Sequence, residues 1–122
     1  MNLPMVLVSG PTIAEDEKLI VALSKHAGVI RNRNNSKIEK RLSTNKICLV
    51  LLEITKESAF EIEMIARIKR YYPYIEILVV NGDGDRDVLA EAFKWGTKDA
   101  FRRPYNTDLI VDRVLAILNV KT

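Results

Sequence analysis

The chain has 122 residues, 48% of them hydrophobic, the size of one ordinary domain that can bury a core without metals or disulfides. Its net charge of +3 and pI near 9.1 are too mild to imply nucleic acid. One cysteine excludes a disulfide framework, and no apolar run approaches membrane-spanning length, so a single cytoplasmic domain over residues 1–122, without membrane contact, is expected.

The first element is a strand at "MVLV", residues 5–8, ending at Ser9 and Gly10. Thr12 to Glu15 then has the spacing of a capping box, and Leu19, Ile20 and Leu23 follow on one helical face. His26 lies near the end of that helix, where the last carbonyls favour a cation, and reads as structural or solvated. A weak strand, "VIR" at 29–31, precedes a second box, Ser36 to Glu39, which opens a short helix carrying Ile38 and Leu42. From Lys25 to Lys46 the basic residues face a single acid, Glu39. Without interleaved aromatics for base stacking, this stretch reads as a solvated basic edge, and direct nucleic-acid binding is not expected.

"ICLVLL" at 47–52 predicts a strand buried on both faces, with Cys48 as a small buried hydrophobe, ending at Glu53. Residues 59–71 place Ile62, Ile65 and Ile68 or Lys69 at helical spacing, and Pro73 stops the helix. "IEILVV" at 75–80 predicts the next strand, running into "NGDGDRD". Counted from Asp83 as a calcium loop, Val88 and Lys94 stand where glycine and glutamate are needed. Asp83, Asp85 and Asp87 therefore read as caps on the positive end of a helix over 85–95. That helix carries two apolar lines, Val88, Ala92 and Trp95 beside Leu89 and Phe93, too many for one buried stripe. A short strand at 99–101 and a helix over 107–118 complete the chain.

Five alternations of apolar strand and helix define a doubly wound α/β domain with a parallel sheet and helices on both faces. In such folds ligands gather outside the carboxyl ends of the strands. Those ends carry Ser9, Gly10, Glu53, Asn81, Gly82 and Arg103.

The stretches "LVLLEITKESAFEIEMIARIK" and "ILVVNGDGDRDVLAEAFKWGTKDAFRRPY" have the layout of a receiver, with Gly96, Asp99 and Pro104 in register. On those residues the chain resembles a response-regulator receiver domain of the CheY-like superfamily over essentially its whole length. The resemblance implies a flavodoxin-like (βα)5 sandwich, strand order 2-1-3-4-5, and a cis bond between Arg103 and Pro104. In the family an acidic pair after the first strand holds magnesium, and an aspartate on the third strand accepts a phosphoryl group. Here Ser9 and Gly10 replace the pair, Glu53 the acceptor, Asn81 the hydroxyl residue after the fourth strand, and Arg103 the lysine. The implied protein is a degenerate pseudo-receiver that works without phosphorylation, is not an enzyme, and takes neither Mg²⁺ nor another cofactor. Glu53 is expected to reach outward, near where an aspartyl phosphate places its oxygens, and to pair with Arg103; the competing reading leaves both as a solvated remnant.

In receivers the output face is formed by the fourth helix, fifth strand and fifth helix. Here it would comprise Leu89, Phe93, Ala100, Arg102, Leu109 and Arg113, rimmed by Lys94 and Lys98. A protein partner, an output domain or a second copy would dock there. Ala100 stands where receivers carry a switching aromatic, which removes that switch's moving part. Two alternatives stay open: an active receiver in a two-component phosphorelay, accepting phosphate on Glu53 or a nearby acid, and the N-terminal regulatory domain of a longer DNA-binding regulator.

Overall fold

Successive residues of each strand divide between two apolar layers. The computed structural model describes residues 3–118, in which five strands alternate with helices: β1 (Met5–Ser9), α1 (Glu17–Ser24), β2 (Gly28–Asn32), α2 (Ile38–Thr44), β3 (Ile47–Ile54), α3 (Ala59–Tyr71), β4 (Glu76–Asn81), α4 (Arg86–Lys94), β5 (Asp99–Arg102) and α5 (Thr107–Leu118). All four pairings are parallel and the order is β2-β1-β3-β4-β5. Val6, Val8, Leu49, Leu51, Leu78 and Val80 point to one layer, closed by α1 and α5. Leu7, Val50, Leu52, Ile77 and Val79 point to the other, under α2, α3 and α4. This division follows from the period of two along a strand, and burial on both faces explains why the central strands lack polar alternation. The crossover reverses between β1 and β3, so the carboxyl ends of those strands flank the crevice where a ligand would lie.

Three local expectations are corrected. Cys48 is exposed, not buried. β1 pairs Met5 with Ile47 and Val6 with Leu49, so Cys48 is the extra residue of a bulge at the entrance of β3 and is turned out of the sheet. Native protein is therefore expected to react with a thiol reagent such as DTNB as fast as urea-unfolded protein does; a thiol that reacts only after unfolding would contradict the placement.

Neither capping box forms. Thr12 caps nothing with its side chain; α1 starts later, at Asp16, whose carboxylate accepts from the Leu19 amide at 3.1 Å. Ser36 donates its amide to Asn34 at 3.0 Å, and Glu39 pairs with Arg67 across the α2–α3 gap at 2.8 Å. In both places a short 3₁₀ turn, Ile13–Glu15 and Asn35–Lys37, precedes the helix and displaces its start.

Trp95 does not complete the buried line of α4. The helix ends at Lys94, and Trp95, its C-cap, is 45% exposed while Val88 and Ala92 are buried. Among the described residues no helix is long and apolar enough to cross a membrane.

Candidate functional site

The carboxyl ends of β1, β3 and β4 and the segment after β5 bring Gly10, Glu53, Asn81 and Arg103 to one rim of the sheet. Glu53 is buried, and its carboxylate does not extend outward as expected. It folds across Gly10, and Oε1 accepts the backbone amides of Thr12 at 2.9 Å and Ile13 at 2.8 Å. Those amides open the 3₁₀ turn at Ile13–Glu15 and have no intrahelical partner, so the carboxylate serves as a cap supplied from 40 residues away in sequence.

Gly10 makes this reach feasible. Its φ is +143°, and a Cβ there would stand 2.4 Å from the Glu53 Cβ and 2.6 Å from Oε1. Absence of a side chain at position 10 and the longer acid at position 53 are thus two halves of one arrangement.

Arg103 is joined to Glu53 only loosely. Its Nη2 lies 4.0 Å from Glu53 Oε1, outside hydrogen-bonding range, and is buried without a partner. The guanidinium instead lies over the Tyr105 ring, 5.1 Å from its centroid. The bond from Arg103 to Pro104 is cis, as the resemblance implied. Tyr105 in turn donates its hydroxyl to the Asp16 carboxylate that caps α1. Partial burial, followed by the hydrogen bond to Asp16 and that group's negative charge, pushes the Tyr105 phenol up to about 12 from 10.0. A folded-state value above the unfolded one means stability is complete below pH 10 and falls as the unfolded chain ionises first, between pH 10 and about 12. Urea melts should show that alkaline loss in the wild type and a shallower one in Tyr105→Phe; parallel pH profiles would contradict this role.

Ser9 is fully buried and turned away from Glu53. Its hydroxyl donates to Asn35 Oδ1 at 2.6 Å and accepts from Asn32 Nδ2 at 2.9 Å, while Asn35 Nδ2 reaches Glu61 at 3.1 Å. A network of one hydroxyl and two amides, closed by the Glu61 carboxylate, therefore occupies this corner. Asn32 and Asn35 were missed in the sequence, although Asn32 ends β2 and the rule that named the other strand ends applies to it equally.

Asn81 is fully buried, donates to the Asp85 carbonyl at 2.8 Å, and leaves Oδ1 without a partner. Asp85 caps α4 through the Val88 amide at 3.0 Å, as expected. Asp83 does something the sequence did not suggest. It accepts the Lys56 amide at 2.8 Å and so ties the β3–α3 loop to the β4–α4 loop; the Lys56 amide is the main reason its carboxyl is held below the usual range.

On the expected partner face, Phe93 is 44% and Leu109 is 61% exposed. Leu89 and Ala100 are half-buried against the α2–α4 layer, so Leu89 points outward less than expected. Arg102 is exposed, and Arg113 pairs with Asp99 at 2.8 Å.

A five-stranded parallel sheet in this order, with helices on both faces and a polar cluster at the strand ends, defines a flavodoxin-like, doubly wound α/β domain. No protein-family model matches the sequence. A response regulator from Thermotoga maritima is 25% identical, with a TM-score of 0.83 over 96% of this chain and 98% of that one. A CheY-like receiver domain protein from Methanospirillum hungatei superposes with a TM-score of 0.86 over 97% and 95%, and at 13% identity its likeness is one of fold. An NtrX-like response regulator of Rickettsia felis is 28% identical over 81 residues, 64% of this chain, and the match spans 17% of that longer protein. The chain thus has the fold of CheY-like response-regulator receiver domains and is similar in sequence to response regulators, of whose NtrX-like members it spans only a small part.

Proposed function

We propose that this receiver domain is a phosphorylation-independent, non-catalytic docking module of a signalling system. The observation that carries the reading is the engagement of Glu53 Oε1 by the Thr12 and Ile13 amides. A carboxylate held in two charge-assisted hydrogen bonds is a poor nucleophile and a poor metal ligand, because attack or coordination must first break both. The magnesium ion that the family uses does not fit the residues present. Gly10 offers no ligand and no room for one, Ser9 faces the asparagine network, and Glu53 is the only acid among the five pocket positions. With no route to phosphoryl transfer, the pocket holds one conformation, and the domain presents a constant surface to its partner.

That surface is the face of α4, β5 and α5, where Phe93 and Leu109 are exposed apolar groups beside Arg102 and Arg113. The occupant is a protein, whether an output domain, a separate partner or a second copy. Phe93→Asp should leave stability within about 0.5 kcal/mol of wild type. It should weaken docking at least about tenfold once a partner is in hand, or lower the dimer fraction in sedimentation; unchanged association would remove this face from the account.

The test of the pocket is a set of amide chemical shifts recorded with Mg²⁺ and acetyl phosphate. Under this reading the resonances of Thr12, Ile13, Glu53 and Asn81 stay in place. Saturable movement of those four would favour the active-receiver alternative.

A further inference from the structure

α1 and α5 lie side by side on the sheet face away from α2, α3 and α4. The groove between them, about 470 Å³, is floored by Val21 and Ala22, with Lys18 and Lys25 on one wall and Asp108 on the other. Val21 is 56% exposed. One exposed valine is ordinary; the sorting of the charges beside it is not.

Lys18, Val21 and Lys25 follow one another at helical spacing down α1 and its C-cap, and Asp108 and Asp112 do the same down α5. The hydrogen bond from Tyr105 to Asp16 holds the starts of the two helices together, and both helices return between parallel strands in the same direction. Lys18 and Asp108, each the second residue of its helix, therefore stand at about the same level. Glu17, also on the groove, is taken by Arg31 of β2 at 2.6 Å. Lys18, Lys25, Asp108 and Asp112 are exposed, and among the described residues none of the four forms an ion pair. A cationic stripe and an anionic stripe thus run in parallel along one face.

That pattern selects its occupant. A partner of one sign, such as a nucleic acid, an anionic membrane or a basic peptide, loses on one stripe what it gains on the other. The matching surface carries anions and cations in two parallel stripes one helix spacing apart, and the chain itself has that surface.

We infer that the α1–α5 face is an interface with a second copy of this chain. A half-turn about an axis parallel to the helices sets α1 of one copy against α5 of the other, so Lys18 and Lys25 meet Asp108 and Asp112 on both sides of the axis and Val21 of each copy is covered. On α5 this flank is separate from the α4–β5–α5 face, because Asp108 turns to the groove with α1 while Arg113 turns to Asp99 of β5. The dimer therefore carries its docking face twice and acts as a bivalent module.

Sedimentation equilibrium of the full chain tests the interface. The wild type should show a dimer fraction that rises with protein concentration and falls as NaCl is added. Lys18→Glu/Lys25→Glu and Asp108→Lys/Asp112→Lys should each weaken the dimer at least about tenfold. Mixed in equal amounts, the two variants should form a heterodimer, because each then meets its complement on the other chain. Val21→Asp, a change at one exposed position, should also weaken the wild-type dimer at least about tenfold, and keeps the test decisive if a charge variant fails to fold. Phe93→Asp should leave this dimer intact. A wild type that stays monomeric up to millimolar concentration would overturn the interface, as would folded charge variants that stay apart when mixed, or a dimer indifferent to Val21→Asp. A dimer lost in Phe93→Asp and kept in the charge variants would also overturn it, and would assign self-association to the α4–β5–α5 face.

Discussion

Gly10→Ala is expected to lower the free energy of unfolding by about 2–4 kcal/mol, read from the urea midpoint at constant slope. Two causes add. Alanine at φ +143° is strained, and its methyl group would stand 2.4 Å from the Glu53 Cβ, a backbone-proximal atom that cannot swing aside. The second cause also predicts a failed rescue. Glu53→Ala keeps the Cβ that collides, so the double variant Gly10→Ala/Glu53→Ala should not recover the lost stability. A Gly10→Ala protein as stable as wild type would show that Gly10 neither needs its positive φ nor lies in close contact with the Cβ of residue 53.

The second large effect belongs to Glu53 itself. Glu53→Ala leaves the Thr12 and Ile13 amides without their acceptor, Ile13 at a buried position, and should cost about 2–4 kcal/mol. Glu53→Gln keeps an oxygen at the same reach and loses only the charge, for about 1 kcal/mol. Glu53→Asp is the informative variant, because aspartate is what the family carries at this position. One methylene shorter, its carboxylate falls about 1.5 Å short of the amides, so it should behave nearly as badly as alanine. Should Glu53→Asp match Glu53→Gln in stability, capping is not the role of this side chain.

These expectations show where the sequence was informative. Strand identity and the residues at the strand ends are legible because burial on both faces writes continuous apolar runs such as "ICLVLL", whereas the sheet order followed only from the resemblance to receivers. What sequence could not supply was the direction in which a long polar side chain turns. Glu53 was expected to point at Arg103, and a carboxylate on a strand end can equally turn back to a nearby turn with free amides. The choice was made by a missing Cβ at Gly10, 43 positions away in sequence, which no local pattern reports.

Cys48 failed for a related reason. Its neighbours are all buried, and the bulge that ejects it is a property of the pairing with β1, not of β3 alone. The capping boxes failed because 3₁₀ turns intervened and better acceptors were available: Asp16, Asn34 and the distant Glu53. Asp85 succeeded because its cap is strictly local.

The central claim is that the Glu53 carboxylate at the end of β3 is held by the backbone of the turn after β1. The most direct measurement is a crystal structure of the protein grown with Mg²⁺ and beryllofluoride. The account predicts Glu53 seated on the Thr12 and Ile13 amides with no ordered ion or beryllium adduct beside it. A well-ordered Mg²⁺ with Glu53 swung out to carry beryllofluoride would contradict it.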